Sequence, residues 1–151
     1  MAPPDPVLLE NTRDWLARAR EDLETAALAL TPAQPMVRSA LFHCQQAVEK
    51  TMKAFLTWRD VPFRTTHNLV ELGDDCVAVD AGLLSAVERV TSLTKYATRF
   101  RYPGAPYEPE VEEAQQALEI ARAFIADLAI YFPAEVRSAG GLPGSVPPPD
   151  Q

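Results

Sequence analysis

The sequence predicts an all-α fold, an up-and-down helical bundle of about five helices. Apolar residues recur every three or four positions in several long segments, which is the spacing of an amphipathic helix, and no segment alternates as a half-buried strand does. The 151 residues suit one domain, and 47% apolar against 23% charged residues is an ordinary globular balance. Two segments of Gly- and Pro-rich or aperiodic sequence flank this predicted bundle.

Apolar stripes and end signals place the individual helices. Asn11 is a suitable N-cap for a first helix over about 12–30. The second helix is predicted from just after Pro35 to about Trp58, where the apolar stripe ends. A fifth helix is expected over about 109–132, because proline is favoured in a first turn and acids follow it.

Two shorter helices are expected between these long ones. Thr66 is a suitable cap for a short third helix, which Gly73 ends or bends. Asp80 is the next cap, and the fourth helix then reaches about Thr98.

The predicted domain is a helical bundle over residues 11–132. Residues 1–10 are expected to be a disordered lead-in, and residues 133–151 a disordered tail, because the tail is rich in Pro and Gly and lacks periodicity. No apolar run is long enough to span a membrane, and the first residues lack a signal peptide pattern. Cys44 and Cys76 lie among apolar residues, which favours buried, reduced thiols in a cytoplasmic protein.

Charge is unevenly spread along this acidic chain. The net charge of −7 argues against a general nucleic-acid coat. Residues 38–64 nevertheless hold five bases against two acids, and residues 95–101 hold three bases and no acid. Residues 108–135 are strongly acidic. If the two basic segments meet in space, they form a local anion site.

Four polar residues of the second helix share one face at i, i+3, i+4 and i+7: Gln46, Glu49, Lys50 and Lys53. The simpler interpretation is a solvated face with modest side-chain pairs. The alternative is a polar seam that packs against the turn of Thr66 and His67 and against the segment of Arg99 and Arg101. At its helix start, His67 suits contact with an anion or a structural bond to backbone or carboxylate.

Two arginines and two aromatic residues alternate over 99–102. Arginine and tyrosine together suit contact with phosphate and base, which makes Arg99, Arg101 and Tyr102 candidate ligand-binding residues. The alternative is a helix end with Phe100 and Tyr102 in the core and both arginines paired with acids of the fifth helix.

Catalytic and metal-binding patterns are incomplete in this sequence. The two histidines and two cysteines lack paired ligand spacing such as CxxC or HxxxH, so no metal site is predicted. No Gly-rich phosphate loop occurs, and no cofactor is predicted. Cys44 lies on the core stripe, where a thiol is inert.

Three stretches together resemble the HEPN family of prokaryotic and archaeal helical domains, over about residues 10–132. They are His43-x-Gln45-Gln46-Ala47-x-Glu49-Lys50-x-x-Lys53-Ala54-x-Leu56, then Thr66-His67-Asn68-Leu69, and Tyr96 through Arg101-Tyr102-Pro103. The resemblance implies a homodimeric bundle that often pairs with a minimal nucleotidyltransferase, in systems of the toxin–antitoxin type.

Some HEPN proteins are metal-independent ribonucleases with an Arg-x(4–6)-His motif, typically late in the fold and assembled across the dimer. Here no histidine follows Arg99 or Arg101. Arg38 and His43 have the motif's spacing, but they lie on the second helix. The resemblance therefore implies the HEPN fold without the usual ribonuclease motif.

The favoured function is a non-catalytic binding module for a nucleotide, RNA or a nucleotidyltransferase partner. Its expected ligand-binding residues are Gln46, Glu49, Lys50, Lys53, His67, Arg99, Arg101 and Tyr102. The alternative is a metal-independent ribonuclease toxin with an unusual site, in which His43, His67 and Arg101 act in catalysis. A purely structural oligomerisation domain ranks third.

Overall fold

The computed structural model describes residues 3–140, in which every regular element is helical. The six α-helices are α1 (Pro6–Ala29), α2 (Val37–Trp58), α3 (Leu69–Val79), α4 (Leu84–Val90), α5 (Val111–Ala129) and α6 (Ala134–Gly140). Two 3₁₀ segments, Ala81–Leu83 and Thr91–Ala97, flank α4. The predicted all-α fold is confirmed. Within the described range, no helix combines the length and apolar character needed to cross a lipid bilayer.

Helix α2 is the centre of the bundle. It packs most extensively on α1, to which residues 30–36 connect it, and it also contacts α3, α5 and the 3₁₀ segment Thr91–Ala97. Its predicted apolar stripe is fully buried: Leu41, Cys44, Val48, Met52 and Phe55. Full burial of a large apolar side chain stabilises a fold by about 1.5–3 kcal/mol, so this stripe is a large part of the core.

Both cysteines are free thiols inside this core, as predicted. Burial raises the pKa of Cys44 and of Cys76 to about 12. Because the thiolate is the reactive form, both side chains act as small apolar groups at neutral pH.

The prediction of Asn11 as the first N-cap was wrong. Helix α1 begins at Pro6, and the Asp5 carboxylate accepts a 2.9 Å hydrogen bond from the backbone N–H of Val7. An acidic cap followed by proline is a strong helix start, and Leu9 then packs against the core. The expected lead-in is therefore helical from residue 6 onward, while residues 1 and 2 lie outside the described range.

The third helix begins and ends differently from the prediction. Asn68, not Thr66, is the N-cap, and its side chain accepts a 2.9 Å hydrogen bond from Val70 N–H. Gly73 neither ends nor bends the helix, which continues to Val79. A Cβ at position 73 would overlap the Cγ1 methyl of Val87, so glycine allows α3 and α4 to approach closely.

The single fourth helix of the prediction is divided in the structure. Asp80 caps the 3₁₀ turn at its start, as expected, and accepts from Gly82 N–H at 2.9 Å. Regular α-helix stops at Val90, and the chain tightens into 3₁₀ turns. The hydroxyl of Thr94 in this stretch accepts a 3.1 Å hydrogen bond from Leu69 N–H, which ties it to the start of α3.

Helix α6 lies inside the segment that was expected to be a disordered tail. It follows Pro133, and its Val136 side chain is fully buried against the core. Arg13 of α1 donates a 3.2 Å hydrogen bond to the Glu135 carbonyl. The expected tail is thus helical through residue 140, and its remainder, residues 141–151, lies outside the described range. The domain limits 11–132 stay a prediction.

We expect Asp60→Gly to raise the free energy of unfolding by about 0.5–1 kcal/mol. Helix α2 ends in a Schellman motif, with hydrogen bonds from Val61 N–H to Leu56 O at 2.9 Å and from Asp60 N–H to Thr57 O at 3.0 Å. Asp60 has a φ of 56°, a left-handed conformation that costs an L-residue energy and glycine little.

Urea denaturation of wild type and variants measures this effect. The matched control is Asp74→Gly, an exposed site inside α3, where glycine should lower stability by about 1 kcal/mol. If both substitutions destabilise the protein, the left-handed position does not carry the expected cost.

Candidate ligand-binding groove and buried polar network

Glu49 is the centre of a polar network on α2. Only 2% of this residue is exposed. Its carboxylate lies 3.1 Å from Lys53 Nζ and 2.8 Å from His67 Nδ1, and it accepts from Gln45 Nε2 at 3.2 Å. Gln46 Nε2 lies near it at 3.4 Å. A buried carboxylate requires such partners, so this network is part of the fold's interior.

The Lys53 ammonium is enclosed on its other side by aromatic rings. It lies 5.5 Å from the ring centroid of Trp15 and 5.9 Å from that of Phe63, and its side chain is 8% exposed. These are distances at which a cation is attracted to a ring face. The interpretation of a solvated face was therefore wrong for Glu49 and Lys53, which point into the protein.

The alternative interpretation, a packed seam, is right for one of its two sides. Gln45 Nε2 donates a 3.0 Å hydrogen bond to the His67 carbonyl, so the seam holds the turn before α3 against α2. No hydrogen bond or ion pair within the described residues joins Arg99 or Arg101 to this network. The His67 side chain, although 66% exposed, is anchored on Glu49.

A second polar cluster joins α1 to α2 around Asp22. The two Asp22 oxygens lie 2.5 Å from Lys50 Nζ and 2.7 Å from His43 Nδ1. Asp22 is 7% exposed, while the side chains of His43 and Lys50 are half-buried. The Nδ1 atom of His43 faces the Asp22 carboxylate, and Nε2 is the ring nitrogen that does not take part in this contact. Lys50 is thus occupied by an internal partner.

An open groove lies at the N-terminal end of α2. Its volume is about 590 Å³, and its lining residues are Arg38, Ser39, Phe42, Phe100, Arg101, Tyr102 and Pro103. The Arg101 guanidinium carbon lies 4.8 Å from the Phe42 ring centroid and 5.9 Å from that of Tyr102. The two predicted basic segments therefore meet here, through Arg38 and Arg101.

Arg101 and Tyr102 face solvent in this groove. Arg101 is exposed, and no carboxylate of the described residues forms an ion pair with it. Tyr102 is 67% exposed, whereas Phe100 is buried. The alternative that placed Tyr102 in the core and paired both arginines with the fifth helix was therefore wrong for Tyr102 and Arg101.

Arg99 points to a different cluster. The hydroxyls of Tyr96 and Tyr107 each donate a 2.6 Å hydrogen bond to one oxygen of Glu113, on α5, and Arg99 lies beside Tyr107. Burial and the Glu113 carboxylate raise the pKa of Tyr96. Arg99 thus lies next to a tyrosine that contacts an acid of the fifth helix, but no ion pair joins Arg99 itself to such an acid among the described residues, so the pairing that one alternative expected is not observed.

The structure separates the predicted ligand-binding residues into two groups. Arg101 and Tyr102 line the groove, whereas the others belong to internal clusters or to the Tyr107 contact: Gln46, Glu49, Lys50, Lys53, His67 and Arg99. Ser39 and Phe42 were not predicted. Phe42 lies off the apolar stripe of α2, four residues after Arg38, and this spacing was the signal that could have identified it.

Comparison with known families agrees with this architecture. A family model described as the HEPN domain matches residues 12–131, from α1 to just beyond α5. The chain belongs to the HEPN domain family. No match was found among curated proteins or among solved structures. Both the groove and the buried network of this HEPN domain lie within the matched residues.

The described part of this HEPN domain lacks a cluster of side chains that could bind a metal ion. Residues 3–140 contain no group of three or more His, Cys, Asp or Glu residues that could hold a metal ion.

We expect Lys53→Ala to lower the free energy of unfolding by about 3–5 kcal/mol, because it leaves the buried Glu49 charge without its opposite charge. Urea denaturation measures the change. The control, Arg20→Ala, breaks an ion pair with Glu24 whose side chains are 52% and 61% exposed, and should cost less than about 1 kcal/mol. Equal losses would contradict a structural role for the Lys53–Glu49 pair.

Proposed function

We propose that this HEPN domain is a non-catalytic binding module, and that its groove holds a nucleotide or a nucleotide segment of RNA. One observation carries the proposal: the Arg101 guanidinium rests on the Phe42 ring at 4.8 Å, exposed and without a carboxylate partner among the described residues. A cation held by an aromatic ring instead of an acid keeps its hydrogen-bonding edge for an incoming anion.

The rest of the groove suits the same chemistry. A second guanidinium, Arg38, and the Ser39 hydroxyl line the same hollow, so a phosphate meets two cations and a hydroxyl. The exposed Tyr102 ring offers a face on which a base can stack. The volume of about 590 Å³ lies in the range of small-molecule sites. The net charge of −7 favours such a local site over a broad nucleic-acid surface.

The internal clusters support the groove without touching the ligand in this proposal. Glu49 and Gln45 hold the turn before α3 through His67, and Lys50 holds α1 through Asp22. We also propose that the domain forms a homodimer and pairs with a minimal nucleotidyltransferase in a system of the toxin–antitoxin type. Membership of the HEPN family supports the homodimer, because HEPN domains often dimerise.

We expect Arg101→Gln to weaken nucleotide or RNA binding about tenfold or more, because a hydrogen bond to a charged group contributes about 1.5–3 kcal/mol. Calorimetric titration with ATP and fluorescence anisotropy with a short labelled oligouridylate measure the affinity. Arg18→Gln on α1 is the control with the same charge change at an exposed site outside the groove. Equal weakening by both substitutions, or no binding by wild type, would refute the groove as the site.

A metal-independent ribonuclease is the second candidate function. The observation that favours it is the 2.7 Å contact between Asp22 and His43 Nδ1, which leaves Nε2 free to act as a general base. His43 does not line the groove, although its ring lies 5.3 Å from that of Phe42, which does. The other histidine, His67, does not line the groove either, and its Nδ1 lies 2.8 Å from a Glu49 carboxylate oxygen.

We expect purified protein to leave mixed RNA intact in EDTA, because no histidine lines the groove that holds Arg38 and Arg101. The assay follows RNA length over prolonged incubation, with a His43→Ala/His67→Ala double variant alongside. Cleavage by wild type that disappears in the double variant would replace the binding proposal with the ribonuclease.

A further inference from the structure

Arg38 differs from Arg101 in having an acidic partner. Its Nη1 lies 3.3 Å from an oxygen of Glu108, and the two side chains are 61% and 72% exposed. Ion pairs this exposed contribute little to stability and exchange readily with other charges. Among residues 3–140, the groove therefore contains one guanidinium without an acidic partner, that of Arg101, and one that is held loosely by a carboxylate of the protein itself, that of Arg38.

The position of Glu108 makes this pair a feature of the groove. Arg38 and Ser39 line the groove and also a neighbouring hollow of about 490 Å³, in which Glu108 is a lining residue. The same irregular segment, residues 98–110, supplies Arg101 to the first hollow and Glu108 to the second. A single stretch of chain thus places a cation and an anion on the two sides of Arg38.

The pair changes the charge that a ligand meets. While Glu108 holds Arg38, the two arginines and this one acid have a summed charge of +1 at the groove. A ligand that displaces Glu108 meets both guanidiniums, a charge of +2. A single phosphate can bind the free Arg101 alone, whereas a second phosphate has to compete with the carboxylate for Arg38.

We infer that Glu108 is an internal competitor for Arg38, displaced when a ligand with two or more phosphates occupies the groove. The inference rests on the proposed nucleotide- or RNA-binding function and refines it: Glu108 lowers the affinity for polyphosphate ligands and adjusts selection between one phosphate and several. The carboxylate and a second phosphate compete for the same partner, the Arg38 guanidinium, although Glu108 itself lies in the neighbouring hollow.

Glu108→Gln tests this by removing the competing charge while keeping the side chain's shape. Binding of ADP, AMP and a short labelled oligouridylate is titrated at low and at physiological salt. We expect ADP and the oligouridylate to bind about two- to fivefold more tightly, the range for losing an exposed ion pair, and AMP to change less. The gain should shrink as salt screens the exposed charges.

Two further variants isolate the competition from the overall change in charge. Glu112→Gln changes the net charge equally at an exposed acid in the first turn of α5, and it should leave ADP affinity nearly unchanged. In an Arg38→Gln background the gain from Glu108→Gln should vanish, because the cycle isolates the coupling between these two residues.

The outcomes separate the inference from the proposed function. If ADP binds wild type but Glu112→Gln gives the same gain as Glu108→Gln, or the gain persists without Arg38, the competition is refuted and the binding function stands. If wild type and Glu108→Gln bind neither the nucleotides nor the oligouridylate, the proposed function itself fails.

Discussion

A buried carboxylate in the middle of α2 imposes the arrangement of its surroundings. Glu49, 2% exposed, needs positive charge and hydrogen-bond donors within a few ångströms, because an isolated charge in an apolar interior is very costly. Lys53 meets the need from one turn further along the helix, at 3.1 Å. His67 meets it from the turn before α3, at 2.8 Å. The carboxylate thereby holds the end of the 59–68 connection against α2, immediately before α3 begins.

The same helix divides its surface among three tasks. The stripe of Leu41, Met52 and Phe55 faces the apolar core, and the Glu49 network and Lys50 hold neighbouring elements. The first turn, with Arg38 and Ser39, opens to the groove. Because the groove residues lie at the N-terminal end of α2 and the Glu49 and Lys50 contacts lie further along it, we expect substitutions in the two regions to affect binding and stability differently.

Much of the HEPN fold was predictable from local pattern. The apolar stripe of α2 and its end near Trp58 agree with the structure, since periodicity reports directly which face is buried. Ends set by competing caps were less predictable: Asp5 with Pro6 began α1 earlier than Asn11, and packing against Val87 carried α3 through Gly73. The start of α1 is set by a local cap and proline that competed with Asn11, whereas the close approach at Gly73 is a contact between two helices, which a single segment does not contain.

For the groove, the sequence by itself determined which residue types are available to a ligand. The tertiary structure decided which of these residues line the groove. The alternation of two arginines with two aromatic residues over 99–102 suits contact with phosphate and base by residue type, and that contact stays a prediction. Lys53 looked equally suitable, but packing placed its charge between Glu49 and two aromatic rings. The position of a charged residue in the sequence does not show whether its side chain is buried. Only the tertiary structure places Phe42 against Arg101 and removes the Lys53 side chain from solvent.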